Sequence, residues 1–478
     1  MAVRGFAAAD INRLLEGWKF GGGFTAHEID MFLSTIRGRS RQMAKDSPHF
    51  KRYLSLTAVN IVGEGFALKS TPHDGTPGQL NASLDENAAA FIEYHWRLFS
   101  NHRDPETGLT WCDATGRKSD AEIDRLNAKT WKRDGEYFIH AIRTNANPYG
   151  IAWRVLRPDW CDHRYNVVAL KNGNTVRNGI ELSKGVLRPV AYYFTAAPVD
   201  DYQQTNHHVR IPATEIIHGF TQEDEDQPRG IPHAHASLVK LKMLDELDVA
   251  ELTAARDEAC SVRSYYAPIG SEDDIADLTD PTNSAAANNL VMEKEPGQAE
   301  VLPLGWKQEI HTPVHPNAEH APFKSGMLKD VAGGFGLEYS NFANDWSGVS
   351  FSSVRAGTIS ERDMWIVEQN DMISQCKRPQ FLMWLRSFLE LSVSGNLPQA
   401  KISKFAEHSW RGRRWMWVDP ARDMKAASEA VAHGWKTDTQ VASDLGSDFT
   451  ENIEEITRET TAKKGTRLEI KPAEEVKI

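Results

Sequence analysis

The chain has 478 residues, of which 40% are hydrophobic and 25% charged, and it carries a formal charge of −11. That length allows two to four domains at roughly 100–200 residues each, and no run of ~18 uncharged apolar residues predicts a membrane helix. The acidic balance argues against a protein that coats DNA through clustered Lys and Arg, although an acidic wall would let DNA pass with few adhesive contacts.

The opening MAVRGFAAADINRLLEGW places Asp10 and Arg13 inside its apolar stretch, a poor match to a signal peptide. The protein is therefore expected in the cytoplasm of the cell that makes it. Residues 31–68 show apolar positions at helical spacing, broken by Pro48. Arg37, Arg39, Arg41, Lys45, Lys51 and Arg52 cluster there, which predicts a solvated basic face or, alternatively, a contact with nucleic acid or an acidic neighbour. The turn-rich 71-TPHDGTPGQLN-81 reads as a loop, followed by an amphipathic helix over 84–100. A third helix is predicted over 119–132, opened by Ser119 with Glu122 three residues on, the spacing of a capping box.

The period then changes. Residues 136–158 predict two strands joined at Asn145–Gly150, with further strands at 166–170, 186–194 and 215–220. The acidic run 222–230 predicts a solvated loop, lacking the ligand order of a calcium site. A long helix is expected over 233–266, then a polar insertion centred on 280–289, a short strand at 301–304, and a helix over 317–332. Further helices are predicted at 359–375, 379–393, 421–434, 437–446 and 449–463, before a charged tail that predicts disorder.

The chemistry-bearing motifs are sparse. Cys112, Cys161, Cys260 and Cys376 are scattered and form no CxxC pair, which predicts buried free thiols in a reducing compartment. A phosphate-cradling G-x-x-x-x-G-K-[ST] loop and a G-x-G-x-x-G turn are both absent. His207-His208, His233-x-His235 and His315…His320 lack the spacing of metal ligands. The Ser-rich 345-DWSGVSFSSVRAG-357 holds Gly348 and Ser350 but not the second Gly of a nucleophile elbow, and no strand leads into it.

Several features nevertheless occur in one order: 131-WKRDGEYF-138, 157-RPDW-160, 215-EIIHGF-220, 228-PRGIP-232, 313-PVHPN-317, 330-DVAGGFGLEYSNFANDWSGVSFSSVRAG-357, 378-RPQFLMWL-385 and 415-WMWVDPARDMKA-426. Each is weak alone. Their succession over roughly residues 30–435 resembles the lambda-like family of tailed-phage portal proteins.

The resemblance implies an α+β, mainly helical portal fold, assembled as a ring of about twelve copies at one capsid vertex. It implies a conduit for packaging and ejecting double-stranded DNA, a dock for terminase and head–tail connector proteins, and a nucleator of procapsids built with major capsid and scaffolding proteins. It implies a virion protein, present in the host cytoplasm during assembly, with no membrane contact, no enzymatic activity and no cofactor. The regions map as an N-terminal arm (1–30), a wing with the β-rich section (31–232), a stem helix (233–262) and a clip (263–316). A returning stem helix, tunnel loop and following helices (317–395), a crown (396–463) and a flexible tail (464–478) complete it.

The tunnel loop of such proteins matches residues 341–357 here. Asn344, Asp345, Trp346, Ser347, Gly348, Val349, Ser350, Phe351, Ser352, Ser353 and Arg355 are the expected channel residues. Small residues suit a loop that moves past DNA, although a packed helix connector facing no DNA would read the same way. Trp131, Asp134 and Gly135 match a helix-to-strand turn, Arg229, Gly230 and Pro232 match the start of the long helix, and Arg355 is expected in an inter-subunit ion pair. Two other readings are a capsid-vertex adaptor without DNA passage and a hydrolase using Ser350 or Ser352.

Overall fold

The computed structural model describes residues 25–74, 83–195, 207–225, 227–259, 263–266, 307–310, 319–395 and 397–464. The expected strand at 301–304, most of the clip and nearly all of the tail lie outside the described residues. Contacts divide the chain into two units, residues 1–238 with 331–478, and residues 239–330.

In the larger unit, α1 (Thr25–Asp46) gives way at Ser47 to α2 (Pro48–Thr57). Pro48 occupies the first turn, where its missing N–H breaks no helical hydrogen bond. α2 runs into a π-turn at Ala58–Val62. Strand β1 (Ala67–Ser70) and the short pair β2 (His73–Asp74) and β3 (Ser83–Leu84) precede α3 (Glu86–Asn101), whose first turn is capped by Asp85. Then α4 (Asp120–Asp134) begins with the expected capping box of Ser119 and Glu122 and ends at Gly135, φ 92°. A Cβ at Gly135 would lie 2.3 Å from the carbonyl carbon of Ile231, so only glycine fits this turn.

The chain reverses there into β4 (Glu136–Arg143) and β5 (Ile151–Leu156), the predicted hairpin. Next come β6 (Thr175–Arg177), β7 (Ile180–Leu182), β8 (Pro189–Thr195), β9 (His208–Pro212) and β10 (Ile216–Phe220). β10 pairs with β4, giving a three-stranded antiparallel sheet in the order β10-β4-β5. β6 to β9 form a four-stranded antiparallel sheet in sequence order. Phe138, Leu156, Cys161, Ile180, Leu182, Tyr192, Phe194 and Ile216 pack into a single core from both sheets.

Two expectations change here. Residues 166–170 form no strand, since only Val167 bridges, to Val176. The hairpin that sequence reading missed turns at Asn178-Gly179, both at positive φ (48° and 80°), the dipeptide signature of a two-residue turn.

α5 (Leu238–Ala259) starts later than expected, so Arg229, Gly230 and Pro232 precede the helix rather than open it. β11 (Arg263–Tyr266) and β12 (Lys307–Ile310) form an antiparallel pair in the smaller unit. α6 (His320–Phe335) follows. Within that unit Lys240 pairs with Asp330 (3.1 Å) and Asp248 with Lys324 (2.6 Å), which fixes α5 and α6 as antiparallel.

The rest of the larger unit is helical: α7 (Tyr339–Ala343), α8 (Phe351–Met372), a second π-turn (Ile373–Lys377) and α9 (Arg378–Glu390). α10 (Ile402–Phe405) leads to β13 (His408–Arg411), which pairs antiparallel with β1. α11 (Pro420–Ala432), α12 (Asp438–Asp444) and α13 (Phe449–Lys463) fall where the periodicity predicts them.

The basic cluster of α1 and α2 is not wholly a solvated face: Arg39, Lys45 and Lys51 are exposed, but Arg37 and Arg41 turn inward. Arg37 is 1% exposed and donates to Glu136 Oε1 (2.5 Å) and the carbonyl oxygen of Asp134 (2.8 Å). Arg41 pairs with Asp134 (2.9 Å) and with Asp159. Nor is 222–230 wholly solvated, because Gln227 and Arg229 are buried. Arg229 donates to both oxygens of Glu136 and to the carbonyls of Pro158, Cys161 and Asn178.

His218 and the Gly230 N–H also donate to Glu136. Burial alone would raise the Glu136 pKa, but Arg229, Arg37 and the His218 hydrogen bond hold it well below the usual carboxylate range. Burial lowers the His218 pKa, so the ring is a neutral donor. Glu136→Gln keeps the shape and leaves two buried guanidiniums without their carboxylate. Denaturant unfolding should show a loss of about 3–5 kcal/mol, and a loss below about 1 kcal/mol would sink this account.

A second buried charge sits under the π-turn. Lys377 reaches Asp120 (2.5 Å) and Asp124 (3.0 Å), with its ammonium 5.5 Å from the ring centroids of both Trp96 and Trp410. One ammonium cannot neutralise two buried carboxylates. Burial, opposed by Lys377, therefore raises Asp124 from the ordinary 3.8 to about 7. A raised folded-state pKa contributes stability that is complete below 3.8 and lost as pH climbs through about 7. Thermal unfolding of Asp124→Asn against the natural chain should therefore show the variant gaining relative stability from pH 5 to pH 8. A pH-independent difference would refute the assignment.

Candidate functional site

The chain between α6 and α8 is the candidate site. α6 ends at Gly336, φ 68°, and Glu338 caps α7 by accepting from the Asn341 N–H (3.1 Å). Phe342 is fully buried against Phe335. Asn344 closes α7 in the left-handed region, φ 56°, which a short polar residue tolerates. Arg52 donates to the Asn341 carbonyl (2.8 Å) and to Asn344 Oδ1 (3.4 Å).

The loop proper is 344–350. Asp345 accepts from the Tyr339 hydroxyl (2.9 Å) and from the backbone and hydroxyl of Ser347 (3.0 and 2.5 Å). Gly348 stands at φ 69° with nothing within 4 Å of a would-be Cβ. Ser350 is the N-cap of α8, accepting from the Ser353 N–H (3.2 Å) and sharing a hydrogen bond with the Ser353 hydroxyl (2.8 Å). Trp346 and Phe351 are exposed at 50% and 63%, unusual for large rings in a chain with other cores to fill.

The expected loop is thus shorter than the sequence predicts. Asn344, Asp345, Trp346, Ser347, Gly348, Val349 and Ser350 form it, while Phe351, Ser352, Ser353 and Arg355 lie in the first turns of α8. The physical reason is the Ser350 cap, which starts the helix eight residues before the predicted 359. Arg355 is paired within its own chain to Asp423 (2.8 Å) and Asp419 (3.8 Å).

Behind the loop, buried Glu361 accepts from Asn341 Nδ2 (2.9 Å), Trp365 Nε1 (3.0 Å) and the Glu338 N–H (3.3 Å), locking α7 against α8. Gly357 permits this approach, since a Cβ there would sit 2.7 Å from Glu338 Cγ. Sequence reading missed Glu338 and Glu361, because two isolated carboxylates carry no periodic signal.

Ser350 engages Ser353 as a helix cap, and among the described residues no His or carboxylate hydrogen-bonds Ser350 or Ser352. Cys112, Cys161 and Cys376 are buried and free, with thiol pKa values pushed up by burial. His233 hydrogen-bonds the Tyr53 hydroxyl (2.9 Å). No group of three or more His, Cys, Asp or Glu side chains could hold a metal among the described residues. No described helix is long and apolar enough to cross a membrane.

The profile described as phage portal protein, lambda family, matches residues 12–369. The chain is 30% identical over 454 residues to the probable portal protein of Halomonas phage phiHAP-1, covering 93% of this chain and 83% of that one. It is 22% identical over 465 residues to portal protein B of Escherichia phage lambda, covering 90% and 85%. Among solved structures, a chain in the virion of a native gene transfer agent particle aligns at 12% identity, covering 91% of this chain and 98% of its own, with a TM-score of 0.42. A HK97-family phage portal protein from Corynebacterium diphtheriae aligns at 11% identity, covering 79% and 94%, with a TM-score of 0.31. These structural likenesses are too loose to carry an argument.

The chain is a virion protein of the portal class. It belongs to the lambda family of phage portal proteins and has a portal function.

Ser350→Ala removes the cap of α8 and should cost about 1 kcal/mol in unfolding. Amide exchange at 351–354 should quicken. An unchanged exchange pattern would show that the helix start does not depend on Ser350.

Proposed function

We propose that this portal protein assembles as a ring of about twelve copies at one capsid vertex, and that double-stranded DNA passes through it during packaging and ejection. The same ring nucleates procapsids with major capsid and scaffolding proteins, docks terminase, and later receives head–tail connector proteins. Assembly takes place in the host cytoplasm. Membership of the portal family is the observation that carries this reading.

The wing, stem, clip and crown divisions fit it, with α5 and α6 as the stem pair. Val239, Met243, Val249 and Leu252 leave apolar surface along α5 exposed at 57–73%, which suits burial against a neighbouring copy. The loop 344–350 suits the channel wall. It is short, bounded by the Asn344 and Ser350 caps, free of positive charge, and carries exposed Trp346, with exposed Phe351 opening α8. A ring of chains that each carry a charge of −11 attracts phosphates weakly, which favours sliding over adhesion.

The alternative, a vertex protein without DNA passage, keeps the same fold and leaves the loop a passive connector. Packaging with purified procapsids separates the two. Trp346→Ala should form normal rings yet package about tenfold less DNA, equivalent to about 1.4 kcal/mol on the limiting step. Normal packaging by Trp346→Ala and by Phe351→Ala would remove the loop from the channel.

A further inference from the structure

Arg37, Arg41, Arg229 and Arg355 each have a carboxylate within 4 Å. One arginine cluster in the larger unit has none. Arg362 on α8, and Arg413 and Arg414 in the segment that follows β13, have no ion-pair partner within that distance among the described residues. The carboxylates that act on them stand farther off: Asp423 and Glu361 for Arg362, and Glu64 for Arg413.

The three guanidiniums are held in place by neutral groups. Arg362 and Arg413 stand 5.8 and 5.9 Å from the Trp415 ring centroid. Trp415 Nε1 donates to Asn60 Oδ1 (3.2 Å), and Arg413 donates to the same oxygen (3.2 Å) and to the Val59 carbonyl in the first π-turn. Gln369 donates to the Asn60 and Arg413 carbonyls (2.8 and 3.1 Å) and accepts from Arg414 (3.4 Å). Arg362 donates one Nη1 bond, to the Met416 carbonyl (3.2 Å), and its buried Nε has no partner. Partial burial, together with the charge of Arg413, depresses Arg362, and partial burial depresses Arg413. Such crowding of cations is relieved by an anion.

We infer that Arg362 and Arg413 around Trp415, with Arg414 held on Gln369, form a phosphate-binding site that takes the sugar–phosphate backbone of double-stranded DNA without reading its sequence. Several guanidinium N–H groups remain unused, and their fork matches a phosphate oxygen pair. The amides that could read base edges, Asn60 and Gln369, are consumed in holding the arginines. The source of the phosphate rests on the conduit reading, whereas the site rests on the arginines alone. A cationic spot on an otherwise acidic subunit would give passing DNA one defined touch per copy.

The test uses the full chain as assembled, a fluorescent duplex of about 30 base pairs, and anisotropy across a salt series. The natural chain should bind. Arg362→Gln with Arg413→Gln should weaken binding, with the salt slope falling by about two. Arg362→Lys with Arg413→Lys keeps the charge and should keep most of the slope, which guards against a folding artefact. Inorganic phosphate should compete only weakly, since it lacks the polymer's neighbouring charges.

Absence of binding at low salt, or equal affinity and slope in the Gln variant, overturns the inference. So does competition by free phosphate as strong, phosphate for phosphate, as by the duplex. Loss of the ring in the Gln variant with unchanged duplex affinity also overturns it and reassigns the arginines to carboxylates of a second copy. Trp346→Ala in the same titration should match the natural chain, so failure of the conduit in packaging stays distinct from failure of this site.

Discussion

The buried Glu136 carboxylate is the constraint on which the larger unit depends. It sits at the first residue of β4, directly after the Gly135 turn, and collects Arg37 from α1, Arg229, the Gly230 N–H and His218 from β10. Taking one carboxylate and two guanidiniums out of water is expensive, and the cost is offset only when every donor finds an acceptor. Arg229 meets that condition through three carbonyls 51 to 71 positions before it in sequence, so the β-rich section closes around it. The glycines follow from the same crowding. A Cβ at Gly230 would lie 2.1 Å from the Gly135 carbonyl oxygen, so both chain crossings need bare backbone.

A comparable logic governs the helical side. The π-turn at 373–377 inserts an extra residue and delivers Lys377 to Asp120 and Asp124 on one face of α4. Such turns are rare and tend to mark places where a side chain must be redirected. Around the ammonium stand Trp96 and Trp410, from α3 and β13, which brings elements separated by hundreds of residues onto one charge. The first π-turn, at 58–62, does the equivalent for Asn60, which pins the Arg413–Trp415 segment.

Between these rigid centres the loop 344–350 is short and locally held. Caps at Glu338 and Ser350 and the Asp345 hydrogen bonds fix its ends, and Glu361 fixes the helices that flank it. The loop's exposed aromatic therefore projects from a defined base rather than from a slack tether.

The sequence by itself determined the local elements whose signals are short-range. The Ser119–Glu122 box, the Gly135 stop, the 136–156 hairpin and the three C-terminal helices were all legible, since capping and periodicity act within a few residues. The succession of weak motifs also identified the family. What only the tertiary structure decided is which charges are inside. Arg37 and Arg41 follow a pattern identical to a solvated basic face until the carboxylates at 134, 136 and 159 arrive beside them. Likewise the Ser-rich stretch reads as one mobile loop, whereas the structure ends the loop at Ser350 and spends the remaining serines in a helix. Burial and pairing are long-range properties. A residue's type and its near neighbours do not encode the partner, about a hundred or more positions away, that makes burying its charge affordable.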